Sequence, residues 1–240
     1  MAEGAQERLL DTPFLVDGDL HRNIVSIAIS QDLSDDLGDG AAVRELFHEA
    51  EMTSKRRLPA PAINRPFEPG YGAAILYPFV QPRWFATRFS EGAHPVWYGS
   101  TDLRTTVYET VHHFRRNLVQ APGFDARGEV IVGERRVYWV KANALVFDLR
   151  DKLKLEPGLV DRHSYAACQA LGAQLYRQGH AGVITRSAHC DGDNVDLFDP
   201  RFLSNPRHQC YLRYEYQPSS GTVRVLRGQR TMMTVTADKN

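Results

Sequence analysis

Three residues suited to work on a phosphorylated, positively charged substrate lie within the stretch Arg83–Arg116, RWFATRFSEGAHPVWYGSTDLRTTVYETVHHFRR: Arg88, Tyr98 and Glu109. An arginine fork matches phosphate, a phenol stacks or donates, and a carboxylate faces a developing cation. Arg88 precedes Glu109 by 21 residues and Tyr98 precedes it by 11. A distant segment, GVITRSAHCDGDNVDLFDP, adds Ser187 and Asn194. Asn194 is a candidate substrate-binding residue, and with Asp193 it also suits the turn into the strand that follows.

Separate elements must carry these side chains. RWFATRF reads as a strand in which Phe85, Thr87 and Phe89 alternate with Ala86 and Arg88, so Arg88 faces away from the phenylalanines. SEGAHP is a turn and VWYGS a short strand. Ser100 or Asp102 can cap the helix that follows. That helix, about Leu103–Leu118, has the apolar stripe Leu103, Val107, Val111, Phe114 and Leu118, a helical spacing. Glu109 lies about 200° from the centre of the stripe, on the side of Thr105, Thr106, His113 and Arg116. Periodicity alone assigns that side to solvent. A helix whose polar side lines a cleft carries the same pattern.

The rest of the chain predicts a mixed α+β domain with more strand than helix. Residues 1–40 form a loose lead whose apolar run Ile24–Ile29 suits a strand or a helical turn. Helix formers occupy 42–51. The segment SKRRLPAPAINRPFEPGYG carries Pro59, Pro61, Pro66 and Pro69 and marks an extended connection. The expected division is an N-terminal extension, 1–70, and a domain, 71–240. AAILYPFV reads as a buried strand, and RVYWV and NALVFDL as two more. Residues 164–178 read as a helix that Ser164 can cap and Gly179 ends. AGVIT, VDLFD, QCYLRYEYQ and TVRVLR read as strands, FLSNPRH as a connection, and the tail QRTMMTVTADKN stays unassigned.

Composition narrows the classes. There are 29 basic and 29 acidic residues and no net charge, so direct nucleic-acid binding is not expected. Cys168, Cys190 and Cys210 form no CxxC pair, which suits a reducing cytoplasm. No signal-peptide pattern and no run of the roughly 18 apolar residues of a membrane helix stands out. His112, His113 and His189 with Cys190, Asp191 and Asp193 invite a metal reading. Adjacent helical histidines point about 100° apart, however, and DGDN lacks the carboxylates of a calcium loop, so no metal is expected. There is no GxGxxG fingerprint, no P-loop, and no GxSxG elbow at Ser187.

The order of elements and the pieces TRF, VWYGSTDLRTTVYETVHH and GVITRSAHCDGDNVDLFDP resemble the RES family, over roughly residues 71–215. These are small bacterial proteins, mostly toxins of toxin–antitoxin pairs, named for Arg, Glu and Ser. Arg88, Glu109 and Ser187 fit those three positions, and Tyr98 fits the family tyrosine. Many members carry Gly-Gly-Arg-Trp-Asn before the tyrosine strand, where this chain has SEGAHPVW.

The resemblance implies an ADP-ribosyltransferase-like fold, a mixed sheet core with flanking helices, that cleaves NAD. NAD is then a substrate and not a hydride carrier, and no prosthetic group is needed. Glu109 would stabilise oxocarbenium character on the ribose, Arg88 would neutralise phosphate oxygens, Tyr98 would pack against nicotinamide or ribose, and Ser187 would bond nicotinamide, ribose or the glutamate. Three activities stay open: an NAD glycohydrolase or phosphorylase, an ADP-ribosyltransferase that modifies a specific protein, and a binding module with a decayed cleft. The implied partners are an Xre-like helix-turn-helix antitoxin and a second copy of the chain.

Overall fold

The structure is a computed structural model and describes residues 7–26, 72–80 and 84–236. The helix expected over 42–51 and the proline-rich connection lie outside the described residues. In chain order the elements are β1 (Pro13–Val25), α1 (Ala73–Leu76), β2 (Trp97–Ser100), α2 (Leu103–Val119), β3 (Ile131–Asp148), α3 (Ala166–Arg177), β4 (Gly182–Arg186), β5 (Asp193–Leu197), β6 (Leu203–Gln217), β7 (Thr222–Arg227) and β8 (Arg230–Val235). The fold is α+β, with more strand than helix.

The strands form one mixed sheet in the order β1-β2-β5-β4-β3-β6-β7-β8. β1 also pairs antiparallel with β3, from Pro13 opposite Phe147 to Val25 opposite Arg135. That pairing closes β1, β2, β5, β4 and β3 into a ring, and β6, β7 and β8 continue from the other edge of β3. The β3–β4 pair is parallel and the others are antiparallel.

Several sequence expectations change. The short apolar run at Ile24 belongs to a 13-residue strand, β1. RVYWV and NALVFDL are one 18-residue strand, because Lys141 and Asn143 keep the in–out alternation running between them. AAILYPFV is helical: α1 passes into a 3-10 turn at Tyr77–Phe79. Pro78 has no N–H to give a strand ladder, and so short an apolar run has no period of its own. The described part of RWFATRF, from Trp84 on, is not a strand, since Thr87 N donates to Ser90 O at 2.7 Å and the chain reverses there. Phe89 is fully buried while Phe85 is exposed. FLSNPRH opens β6, and the tail supplies β8.

Three apolar clusters hold the fold. Inside the ring, Trp97, Leu20, Val140, Ile184 and Leu197 pack with Ala74 and Ile75 of α1, and Trp97 Nε1 donates to Ala74 O at 2.7 Å. The predicted stripe of α2 packs Val107, Val111, Phe114 and Leu118 on Leu212, Tyr214 and Val225. On the other side, Cys168, Leu171 and Leu175 of α3 meet Phe89, Val96, Leu159 and Phe198. Gly172 lets α3 reach the Phe89 carbonyl, since a Cβ there would sit 2.0 Å from Phe89 O. One face of the β2–β5 pair is polar, next to the third cluster, against which Tyr98 packs. Tyr98 and Ser100 of β2 lie opposite Asp196 and Asn194 of β5 in the antiparallel register, and residues two apart share a face.

Candidate active site

Helix α2 begins at Asp102, whose Oδ1 accepts from Thr105 N at 2.8 Å and whose Oδ2 accepts from Thr105 Oγ1 at 2.6 Å. With the apolar stripe buried, Glu109 falls on the opposite side, as the periodicity requires. That side is not open solvent. Thr105 and Thr106 are buried, and the Glu109 side chain is 21% exposed. The polar side of α2 lines a cleft because the loop after β4 closes over it. Gly192 of that loop sits against Thr105, and a Cβ there would fall 1.9 Å from Thr105 Oγ1.

Two donors meet on one oxygen of Glu109. Ser187 Oγ donates to Oε1 at 2.7 Å, and Asn194 Nδ2 donates to the same Oε1 at 2.7 Å. Each donor is itself held. Ser187 Oγ accepts from His189 N at 3.0 Å and Cys190 N at 3.2 Å, and Ser187 N donates to Gly192 O at 2.8 Å. Asn194 Oδ1 accepts from the buried Ser100 hydroxyl at 2.8 Å, which orients the amide so that its nitrogen faces Glu109. The second carboxylate oxygen, Oε2, faces His189 Nε2 at 3.8 Å, beyond a hydrogen bond.

Tyr98 stands two residues before Ser100, on the same face of β2. Its hydroxyl donates to Thr87 Oγ1 at 2.7 Å and accepts from Phe89 N at 3.1 Å. Burial pushes its phenol well above the usual range, with the Asp196 carboxyl beside it adding to the shift. The Tyr98 hydroxyl therefore stays protonated and pins the backbone on either side of Arg88. Arg88 is not bonded to the Glu109 cluster. Its Nη1 donates to Asp161 O at 2.8 Å and Leu159 O at 3.4 Å, and its guanidinium lies 4.5 Å from the centre of the Tyr165 ring. Glu109, Ser187 and Asn194 thus form one bonded unit, Tyr98 shares their sheet face, and Arg88 stands on the loop that Tyr98 anchors.

The RES domain profile matches residues 62–217, more than half of the chain and all five of these positions. The chain belongs to the RES domain family. None of the curated proteins matches it. Among solved structures, this RES domain is similar to the crystal structure of the M. tuberculosis MbcT–MbcA toxin–antitoxin complex, at 12% identity and a TM-score of 0.45, over 90% of this chain and 94% of that one.

The RES domain also carries residues near its site that motif reasoning passed over. Ser100 fixes the Asn194 amide. Asp196 is 1% exposed, and its Oδ1 has no hydrogen-bond partner among the described residues. Burial, and then the nearby Glu109 carboxylate, raise its pKa well above the usual aspartate range, against the pull of Arg88 and Arg22. Arg22 of β1 donates from Nη1 to Tyr98 O at 2.6 Å, and burial lowers its own value to about 10. The alternation Asn194–Asp196 in NVDLFD was the available signal for Asp196. Nothing in the sequence ties Arg22, 76 residues away, to Tyr98. His112 and His113 follow Glu109 on α2, and burial lowers both to about 4. Both imidazoles are neutral at physiological pH.

Proposed function

We propose that this RES domain is an NAD-consuming enzyme that breaks the bond between nicotinamide and ribose and passes ADP-ribose to water or phosphate. The observation that carries this reading is the asymmetry of Glu109: Oε1 is saturated by Ser187 and Asn194, while Oε2 makes no hydrogen bond among the described residues. A carboxylate held by one oxygen presents the other in a fixed place at no further ordering cost, which is the arrangement that stabilises a developing cation.

As the C1′–N bond breaks, its electron pair moves to the pyridinium nitrogen and nicotinamide leaves neutral. The positive charge then rests on C1′ and the ribose ring oxygen, where Glu109 counters it. The leaving group is already a cation in the ground state, so no metal is needed to draw the electrons away. Tyr98, locked by Thr87 and Phe89, supplies a rigid aromatic face for nicotinamide or ribose. Arg88, free to leave two backbone carbonyls, supplies the charge for the pyrophosphate. Membership of the RES family further supports a cytoplasmic toxin held in check by a helix-turn-helix antitoxin.

The test is nicotinamide release from NAD by the purified chain, with and without phosphate, followed by chromatography. Release by the wild type and its loss in Glu109→Gln support the reading. No release, or undiminished release by Glu109→Gln, overturns it. Labelled NAD that marks a discrete protein band while free ADP-ribose stays minor would replace it with protein ADP-ribosylation.

A further inference from the structure

His189 belongs to two surroundings at once. Its Nε2 lies 3.8 Å from Glu109 Oε2, and its side chain, 7% exposed, also lines a cleft of about 240 Å³. The other walls of that cleft include Tyr108, His112 and Arg115 of α2 and Thr234 at the end of β8. His189 therefore stands between this cleft and the carboxylate. Its ring is held in plane by His112: the two imidazoles stack with centroids 3.9 Å apart and an interplanar angle of 22°. His112 Nε2 is enclosed without a hydrogen-bond partner among the described residues. Its ring stacks on His189 while its own nitrogen stays out of the exchange.

We propose that His189 is the general base of this site, taking a proton from the water that attacks the ribose, with His112 as the positioning residue that fixes its ring. The proposal rests on the NAD reading above and deepens it. An oxygen at the ordinary hydrogen-bond distance of about 2.8 Å from both Nε2 and Oε2 fits across the 3.8 Å that separates them. A water there is bonded to His189 on one side and Glu109 on the other. Its O–H bond breaks toward His189 Nε2, its oxygen forms the new bond to C1′, and the C1′–N bond breaks with its electron pair going to nicotinamide. The proton then leaves the imidazolium through the cleft. The sum is NAD and water giving nicotinamide, ADP-ribose and one proton.

The surroundings suit a base that takes up a positive charge during the step. Glu109 attracts the imidazolium from one side. His112 stays uncharged, so the stack carries only one positive charge, and its ring face can support that charge.

The experiment measures nicotinamide release by the full chain carrying His189→Ala or His189→Gln, with and without imidazole in the buffer. General-base catalysis is worth about a hundredfold or more. Both variants are expected to lose that much kcat with KM for NAD little changed, and added imidazole is expected to restore a large part of the rate to His189→Ala in a saturable way. A structural role would not be rescued by a free base. Wild-type kcat in either variant, or a loss that imidazole does not restore in a His189→Ala protein that melts like wild type, overturns the proposal. If His189→Ala fails to fold, the isosteric His189→Gln decides: it must lose kcat without losing KM. No release by the wild type fails the NAD reading itself, and the base assignment falls with it.

Discussion

The hydroxyl of Ser187 donates to Glu109 Oε1 at 2.7 Å, although 78 residues separate the two in the chain. Ser187 sits at the end of β4 and Glu109 in the middle of α2, and their meeting turns a polar helix side into the wall of a cleft. Glu109→Gln keeps the shape and removes the charge. It is expected to lower kcat for nicotinamide release by about 10²–10³-fold, the usual worth of one preorganised electrostatic contact. Its thermal melt should stay near that of wild type, since the carboxylate is partly exposed. Stopped-time chromatography and a melt check both halves.

Asn194→Ala removes one of the two donors on Oε1 and leaves the buried Ser100 hydroxyl without its acceptor. Release should slow by roughly tenfold or more, and stability should fall by about 1–3 kcal/mol for the orphaned groups. Ser100→Ala on the Asn194→Ala background should cost less than the sum of the two single changes, because both remove the same bond. Additive effects would show that the two residues do not act as a unit.

Tyr98→Phe tests the anchor rather than the ring. The lost hydroxyl frees Thr87 Oγ1 and Phe89 N, the bonds that shape the Arg88 loop. An increase in KM for NAD larger than the fall in kcat is expected, with about 1–2 kcal/mol of stability lost. Arg88→Ala should raise KM by roughly 10- to 100-fold, the worth of charged hydrogen bonds to phosphate. A tenfold fall in kcat with KM unchanged in both variants would assign them to the chemical step instead.

Asp196 makes stability depend on pH in a direction opposite to most aspartates. Its folded-state value is raised well above the 3.8 of an ordinary aspartate, so the folded protein holds a proton that the unfolded chain releases. Stability should therefore fall as pH rises from about 4 toward the raised folded value. Asp196→Asn, which is neutral at every pH, removes that loss. The variant should melt above wild type at pH 8 and the gap should shrink toward pH 4. A variant that melts lower at pH 8 would show that the carboxyl is charged and usefully paired.

His112 acts in the acid range. Its value is lowered from 6.5 to about 4, chiefly by burial and then by His189. Between those limits the unfolded chain binds a proton that the folded chain refuses, so stability is lost as pH falls from 6.5 to 4. His112→Phe keeps a stacking ring and cannot titrate. Its melting temperature should fall less than that of wild type over that range, and an identical pH dependence would show that His112 is freely protonated.

Much of the fold and part of the candidate site were legible in the chain. The α2 stripe Leu103–Leu118 found its core because a 3.6-residue period has one structural solution. The strands at Trp97–Ser100, Gly182–Arg186 and Asp193–Leu197 were readable as short apolar or β-branched runs between turn residues. The family spacing of Arg88, Tyr98, Glu109 and Ser187 was also on the page as letters. Long-range pairing was not. The β1–β3 ladder that closes the ring joins segments more than a hundred residues apart, and local periodicity carries no information about which strand lies next to which. The same limit hid Asp196, Arg22 and the His112–His189 stack, whose meaning comes from neighbours brought by β5, β1 and the loop after β4. It also left Glu109 ambiguous. A side chain opposite an apolar stripe faces water or a cleft according to what folds over it, and here the loop closed by Gly192 turned a solvent-facing pattern into the wall of a cleft.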